Sequence, residues 1–301
     1  MDFYVWLAVF AILVLIGFAL DREIYFYEGV HLGPRVQAWL YDRWSRKYDK
    51  GKRESQLHDD EMLAQPLLDA LNATRVPEPF VLDFATGTGR LSYALVSRPD
   101  FTGRILALDL SQGMLEQAAS KLGLRAPERA SGRCERRDSD LLDRSRSAFS
   151  VELLRHQSLP LPFPDAAFDA VCALEVLELF PNMEAPLTEL TRVLRPGGIL
   201  LTSRGTEESG RKAKVRSRTE LTALLERSGL EDVRIAKWWK LFDRVIAIKK
   251  GKSHPVGARR LVDVLKCSAC QMTKFFVAPN MLKCGNCGKE LITTGEGIVL
   301  N

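Results

Sequence analysis

The sequence predicts an α/β protein: a largely parallel sheet with helices on both faces, an apolar helix ahead of it and a small cysteine ribbon behind it. Three stretches carry that expectation. Phe80-Val-Leu-Asp-Phe-Ala-Thr-Gly-Thr-Gly-Arg-Leu-Ser-Tyr93 reads as a short apolar strand, a turn of small residues and an amphipathic helix start. Phe3 to Leu20 holds neither a charge nor a strongly polar group. Cys267-Ser-Ala-Cys270 and Cys284-Gly-Asn-Cys287 are two C-x-x-C pairs separated by thirteen residues.

The chain has 301 residues, long for one simple domain and suited to a core domain with appendages. Its hydrophobic fraction of 46% is ordinary for a globular protein. A net charge of +5 is mildly basic and does not single out a nucleic-acid binder. Of six cysteines, four fall in the last forty residues, so cysteine use is local.

In chain order, residues 1–22 read as a membrane anchor, because eighteen helical residues span about 27 Å, close to a bilayer core. A cleaved signal peptide is the rival, opposed by Asp2 and by the lack of Lys or Arg ahead of the apolar run. The following flank carries Arg22, Arg35, Arg43, Arg46, Lys47, Lys50, Lys52 and Arg53, which puts that side and the core domain in the cytosol as a single-pass protein. Residues 23–60 form a juxtamembrane and lid segment rich in Tyr and Trp; His31 and His58 are expected at the surface without partners.

Residues 61–250 form the core domain. Ile105 to Asp109 is a second apolar strand ending in an acid, 20 residues past Gly89, where a carboxylate can grip ribose hydroxyls. Ser111 is placed to cap the next helix. Residues 125–150, crowded with arginine and serine and holding Cys134, read as a surface insertion. Val151 to Leu154 is a third strand and Phe168 to Leu174 a fourth, with Cys172 buried as a small hydrophobe. Leu187 to Leu194 is helical, and Arg195-Pro-Gly-Gly198 turns into a fifth strand from Ile199. Gly205 to Arg218 is a basic loop suited either to steering an anionic substrate or simply to being solvated. Thr219 is expected to cap a helix, and the final two strands, around Val233–Ala236 and Val245–Ile248, form a hairpin. Residues 251–264 read as a linker. In residues 265–301, Cys267, Cys270, Cys284 and Cys287 suit a tetrahedral structural Zn2+ with no open coordination position, and Phe275-Phe-Val277 suggests a β-ribbon.

The pattern Asp83-x-Ala85-x-Gly87-x-Gly89 resembles motif I of class I S-adenosylmethionine (SAM)-dependent methyltransferases, with alanine in place of the usual first glycine. Pro160-Leu-Pro-Phe-Pro-Asp165 followed by Phe168-Asp-Ala-Val, and the Leu194-Arg-Pro-Gly-Gly passage, resemble later segments of that family, and Tyr41 to Asp49 resembles the lid helix of its ubiquinone/menaquinone-type (type 11) members. The resemblance covers roughly residues 40–250 and implies a Rossmann-like sheet of seven strands. It implies SAM held by Asp83, Ala85, Thr86, Gly87, Thr88, Gly89, Asp109, Leu110, Met114, Gln157, Ser158 and Leu174. Asp83 suits the cationic α-amino group of the donor, whereas it would repel a pyrophosphate. Gln157 stands where the family has an aspartate contacting adenine. Glu175, His156 and Tyr48 are candidates for a base at the mouth, though His156 reads rather as a core histidine capping a strand.

The expected activity is methyl transfer to a lipid-like or quinone-type molecule. One alternative is an RNA or protein methyltransferase that grips its macromolecule, a protein or nucleic-acid partner, through the ribbon. The other is a non-catalytic scaffold, left open by Ala85 and Gln157.

Overall fold

The computed structural model describes residues 3–124, 150–209 and 215–301. The arginine-rich stretch with Cys134 lies outside the described residues up to Phe149, as do residues 210–214 of the basic loop.

Helix α1 (Phe3–Tyr25) buries none of its side chains and is long and apolar enough to cross a membrane. After a left-handed Gly29 and Gly33, helix α2 (Pro34–Gln56) starts with proline in its first turn, where no N–H is needed. Helix α3 (Gln65–Ala73) leads to β1 (Phe80–Phe84), then α4 (Arg90–Val96), β2 (Arg104–Asp109), α5 (Gln112–Lys121), β3 (Val151–Arg155) and β4 (Phe168–Ala173). Helix α6 (Glu184–Val193), β5 (Leu194–Gly205), α7 (Arg218–Arg227), β6 (Leu230–Trp239) and β7 (Phe242–Lys249) complete the core.

Strands β1 to β5 pair in parallel, and β7 inserts antiparallel between β5 and β6. The inner strands are buried on both faces, so their apolar runs are continuous and their residues alternate between two cores. Phe80, Leu82, Leu106, Phe168 and Leu200 face α6 and α7, while Val81, Ile105, Ala107, Cys172 and Leu201 face α3, α4 and α5.

The sheet is larger than seven strands. Its order is β11-β3-β2-β1-β4-β5-β7-β6, where β11 (Ile298–Leu300) comes from the cysteine ribbon and pairs in parallel with β3. Between them in sequence lie the short α8 (Leu261–Val264) and the ribbon's own antiparallel sheet of β8 (Phe275–Ala278), β9 (Met281–Cys284) and β10 (Glu290–Ile292). Leu261, Val264, Cys267, Phe275, Leu282 and Cys284 share one core with the central strands.

The stretch read as a linker is likewise bolted down. Asp169, fully buried and paired with Arg195 at 2.6 Å, accepts the N–H groups of Val256, Gly257 and Phe80, and Glu152 accepts that of Leu261. The aspartate of the Phe168-Asp-Ala-Val strand and the arginine of the following turn thus fasten the connection to the sheet.

Three local expectations need correction. Helix α7 is capped by Ser217, not Thr219, in a reciprocal capping box with Glu220. His31 pairs with Glu23 at 2.9 Å and packs edge-on to Tyr27. His58, although exposed, stacks on Trp239. Ser111 does cap α5, accepting the Met114 N–H at 3.1 Å.

Candidate active site

The carboxyl ends of β1, β2 and β4 open into a cavity of about 420 Å³. Ala85 and Gly87 from the turn after β1, Asp109 and Leu110 after β2, and Met114 from α5 form one side. His156, Gln157 and Ser158 beyond β3, Leu174 and Glu175 beyond β4, and Tyr41 and Tyr48 from α2 form the other. Eleven of the fifteen residues expected from sequence for donor binding and catalysis therefore line this one space; Asp83, Thr86, Thr88 and Gly89 do not.

Those four build the turn. Asp83 is buried, and its Oδ2 accepts the hydroxyls of Thr86 and Ser92, both at 2.6 Å. Burial raises its pKa, and the two hydroxyl bonds oppose that rise. Ser92, in the first turn of α4, is thus the partner of the motif's acid. Gly89 has φ +73, and a Cβ there would lie 3.0 Å from the Ala118 Cβ, so glycine lets α5 close on the turn. Ala85 also has positive φ, 54, a conformation that costs an L-residue about 1 kcal/mol.

Asp109 is the carboxylate at the cavity wall. Its Oδ2 accepts the Gly87 N–H at 2.9 Å and its Oδ1 the Ser111 N–H at 2.8 Å, leaving lone pairs for a ligand's hydroxyls. Burial pushes its pKa up to about 6, against the pull of those N–H donors.

Beyond Tyr41, Tyr48 and Glu175, which belong to both, lies a second cavity of about 460 Å³. Tyr25, Trp44, Leu241 and Phe242 give it an aromatic and aliphatic wall, and Glu28 and Lys52 a polar edge. Glu175, itself left-handed at φ 54, donates its N–H to Ser203 Oγ at 2.7 Å. Its carboxylate is paired with Lys52 and with Arg90, the latter at 3.0 Å. Arg90 also clasps Asp59 and lies 4.6 Å over the Trp238 ring. Burial, reinforced by the Glu175 and Glu28 carboxylates, raises the Tyr48 pKa, so its hydroxyl stays protonated. Burial lowers that of His156 and keeps the ring neutral, with the backbone of Pro160 and Ser158 opposing.

Three side chains of α2 hold it over these cavities, and reading the sequence missed all three. Asp42 accepts the Ser111 hydroxyl at 2.6 Å and the Gly113 N–H at 2.8 Å. Asp49 accepts the Thr88 hydroxyl at 2.6 Å and pairs with Lys121 at 2.8 Å. Lys52 reaches Glu175. The signal was present: Asp42 and Asp49, like Tyr41 and Tyr48, are seven apart and so share a helix face. In the ribbon, the sulfurs of Cys267, Cys270, Cys284 and Cys287 lie within 4.8 Å of one another. The Cys267–Cys287 and Cys270–Cys284 separations are 3.6 and 3.7 Å. A tetrahedron of 2.3 Å zinc–sulfur bonds has edges of about 3.8 Å, so the four thiols fit such an ion.

Residues 82–202 match the family model described as "Methyltransferase domain". The demethylmenaquinone methyltransferase of Thermus thermophilus is 35% identical over 121 residues, covering 40% of this chain and 44% of that protein. A chloroplastic 2-phytyl-1,4-beta-naphthoquinone methyltransferase of Arabidopsis thaliana is 30% identical over 118 residues, covering 39% and 38%. A fatty-acid O-methyltransferase of Mycolicibacterium smegmatis is 47% identical over 51 residues, 17% and 19% of the two chains. The chain spans 38–60% of the length of the first curated relatives it matches. A solved SAM-dependent methyltransferase from Aquifex aeolicus aligns with TM-score 0.49 at 20% identity, covering 69% of this chain and 97% of that one.

Proposed function

We propose that this chain, whose residues 82–202 are a methyltransferase domain of the class I SAM-dependent type, transfers a methyl group from SAM to a lipid-like or quinone-type small molecule at a membrane surface. The observation that carries this reading is the pair of cavities meeting at Tyr41, Tyr48 and Glu175. One is edged by Asp109 and the glycine turn and suits a nucleoside. The other is aromatic, and Tyr25 in its wall is the last residue of the apolar helix α1. A bilayer-dissolved acceptor would then enter beside the anchor while the soluble donor enters from the other side. The quinone and fatty-acid relatives act on molecules of that class by their names.

The cofactor supplies a sulfonium-bound methyl that a nucleophile displaces in line. Asp109 would take the ribose hydroxyls, Met114 and Gln157 would flank the adenine, and the turn residues 85–89 would give backbone close to the donor. Asp83 would act through the turn, by fixing Thr86 and Ser92. Glu175 is clamped by two cations and Tyr48 keeps its proton, so the chain's contribution is orientation and exclusion of water more than proton removal. The four cysteines would hold a structural Zn2+, and α1 would anchor the chain with the sheet on the cytosolic side.

Exposed Phe276, Val277 and Ile292 on the ribbon are what a macromolecular acceptor would use. Incubating the full chain with methyl-labelled SAM, a membrane lipid extract and total RNA separates the two readings. Label is expected in the organic phase; label confined to RNA or protein would overturn the small-molecule reading.

A further inference from the structure

Strand β11 brings a side chain from the ribbon to the cofactor cavity. The β3–β11 ladder continues past Leu300, because the Asn301 N–H donates to the Arg155 carbonyl at 3.1 Å. That bond fixes the Asn301 backbone beside His156, and its Nδ2 lies 3.2 Å from His156 Nδ1. With its Nδ2 facing the ring Asn301 donates, which makes Nδ1 the acceptor and matches a neutral ring protonated on Nε2. The His156 backbone N–H donates to the Asp109 carbonyl at 3.0 Å, tying the ring to the strand end that bears the cavity's carboxylate. His156 lines the cavity; the backbone oxygens of Pro160 and Ser158 lie near its ring, but neither meets hydrogen-bond geometry with Nε2, which is buried with no partner among the described residues. A buried N–H left without an acceptor is costly, and buried donors in native proteins nearly always have one.

We propose that Asn301 is a positioning residue for the cofactor site: it holds His156 as the Nε2–H tautomer and so offers that N–H to an acceptor nitrogen of the donor's adenine. The ribbon thereby completes the nucleoside pocket of the domain to which it is joined. The proposal rests on the first cavity being the SAM site. It assigns His156 a binding role in place of the base role considered from sequence.

The test uses the full chain, labelled with 15N-histidine and titrated with S-adenosylhomocysteine, the product of the donor. Long-range 1H–15N spectra, assigned with His156→Gln, are expected to show Nε2 protonated and Nδ1 bare, with the Nε2 resonance moving on titration. Asn301→Ala is expected to mix the two tautomers and raise the Kd for S-adenosylhomocysteine about two- to tenfold, at unchanged melting temperature. Asn301→Asp, which replaces the donor by an acceptor, is expected to move the proton to Nδ1 and weaken binding at least as much. A purely structural Asn301 would leave the ring's proton where it was. The proposal is overturned by a protonated Nδ1 in the wild type, by an Nε2 indifferent to the titrant, or by an unchanged Kd in Asn301→Ala. The wild-type spectrum alone decides the tautomer should either variant fail to fold. Failure of the wild type to bind S-adenosylhomocysteine would instead defeat the SAM reading of the cavity, and this proposal with it.

Discussion

Asp109 is the residue on which the donor site should turn, and its buried carboxylate makes a pH prediction. With a pKa of about 6 when folded against an ordinary 3.8, the empty folded protein binds this proton more tightly than the unfolded chain does. The sign follows: this group's contribution to stability is fully present below about pH 4 and is lost as pH rises through about 6. The two-unit gap corresponds to roughly 3 kcal/mol. Ligand binding runs the other way, since ribose hydroxyls donate to the ionised form. The affinity for S-adenosylhomocysteine should therefore rise between pH 5 and 7, measured by titration calorimetry. Asp109→Asn should abolish that slope and weaken binding about tenfold or more. Asp109 was legible in the sequence because a strand ending in an acid 20 residues after the glycine turn is a local signal. The true surroundings of Asp83 were not, because nothing in the strand–turn–helix pattern marks Ser92, nine residues on, as its partner.

At the scale of elements, helix α2 is held less by its own propensity than by its pegs. Gly113 shows how close the contact is: a Cβ there would meet the Asp42 Cα and Ser45 Oγ at 3.0 Å each. Gly113→Val should push α2 off α5 and cost about 1–3 kcal/mol, read from denaturant unfolding. Hydrogen exchange across residues 34–56 should speed up in the same variant. Asp42→Ala removes two hydrogen bonds, one of them to the first turn of α5. It should destabilise by about 1–2 kcal/mol and speed exchange over the same residues; unchanged exchange would mean that α2 does not depend on this peg. The strands, the capping serine of α5 and the helix before β5 could be read from periodicity and turn chemistry. Of the pegs, Asp42 and Asp49 left only their seven-residue spacing, and Lys52 left no trace, since its contact with Glu175 joins residues 123 apart. The cap of α7 was missed although Ser217-x-x-Glu220 is a local pattern, because Thr219 offered a rival hydroxyl two residues on.

For the whole molecule, the ribbon and the sheet share one core, and that decides how the protein should melt. Cys267 and Cys284 are themselves buried beside residues of the central strands. Cys284→Ser, or treatment with a zinc chelator, should lower the melting temperature of the entire protein in a single calorimetric transition. A ribbon that folded by itself would give two transitions, the larger unmoved. Removal of residues 1–24 should leave the cavities intact and release the protein from membranes, whereas the full chain should resist carbonate extraction; recovery of the full chain in the soluble fraction would count against the anchor. The four cysteines announced the metal-fitting cluster, but the eighth strand stayed hidden, because Ile298-Val-Leu300 is too short to carry a period and its partner lies far back in the chain.

That distance also sets a timetable for biosynthesis. The residues joined at the outer rim of β3 are 145 positions apart, so at about 5–20 residues per second the ribosome takes roughly seven to thirty seconds to deliver the second after the first. Throughout that interval β3 lacks the outer strand that pairs with it among the described residues, an edge able to recruit a neighbour, and the arrival of β11 closes it. Chains that stall within the ribbon should therefore be selectively prone to aggregation or chaperone capture, even though every residue of the catalytic domain has already been made.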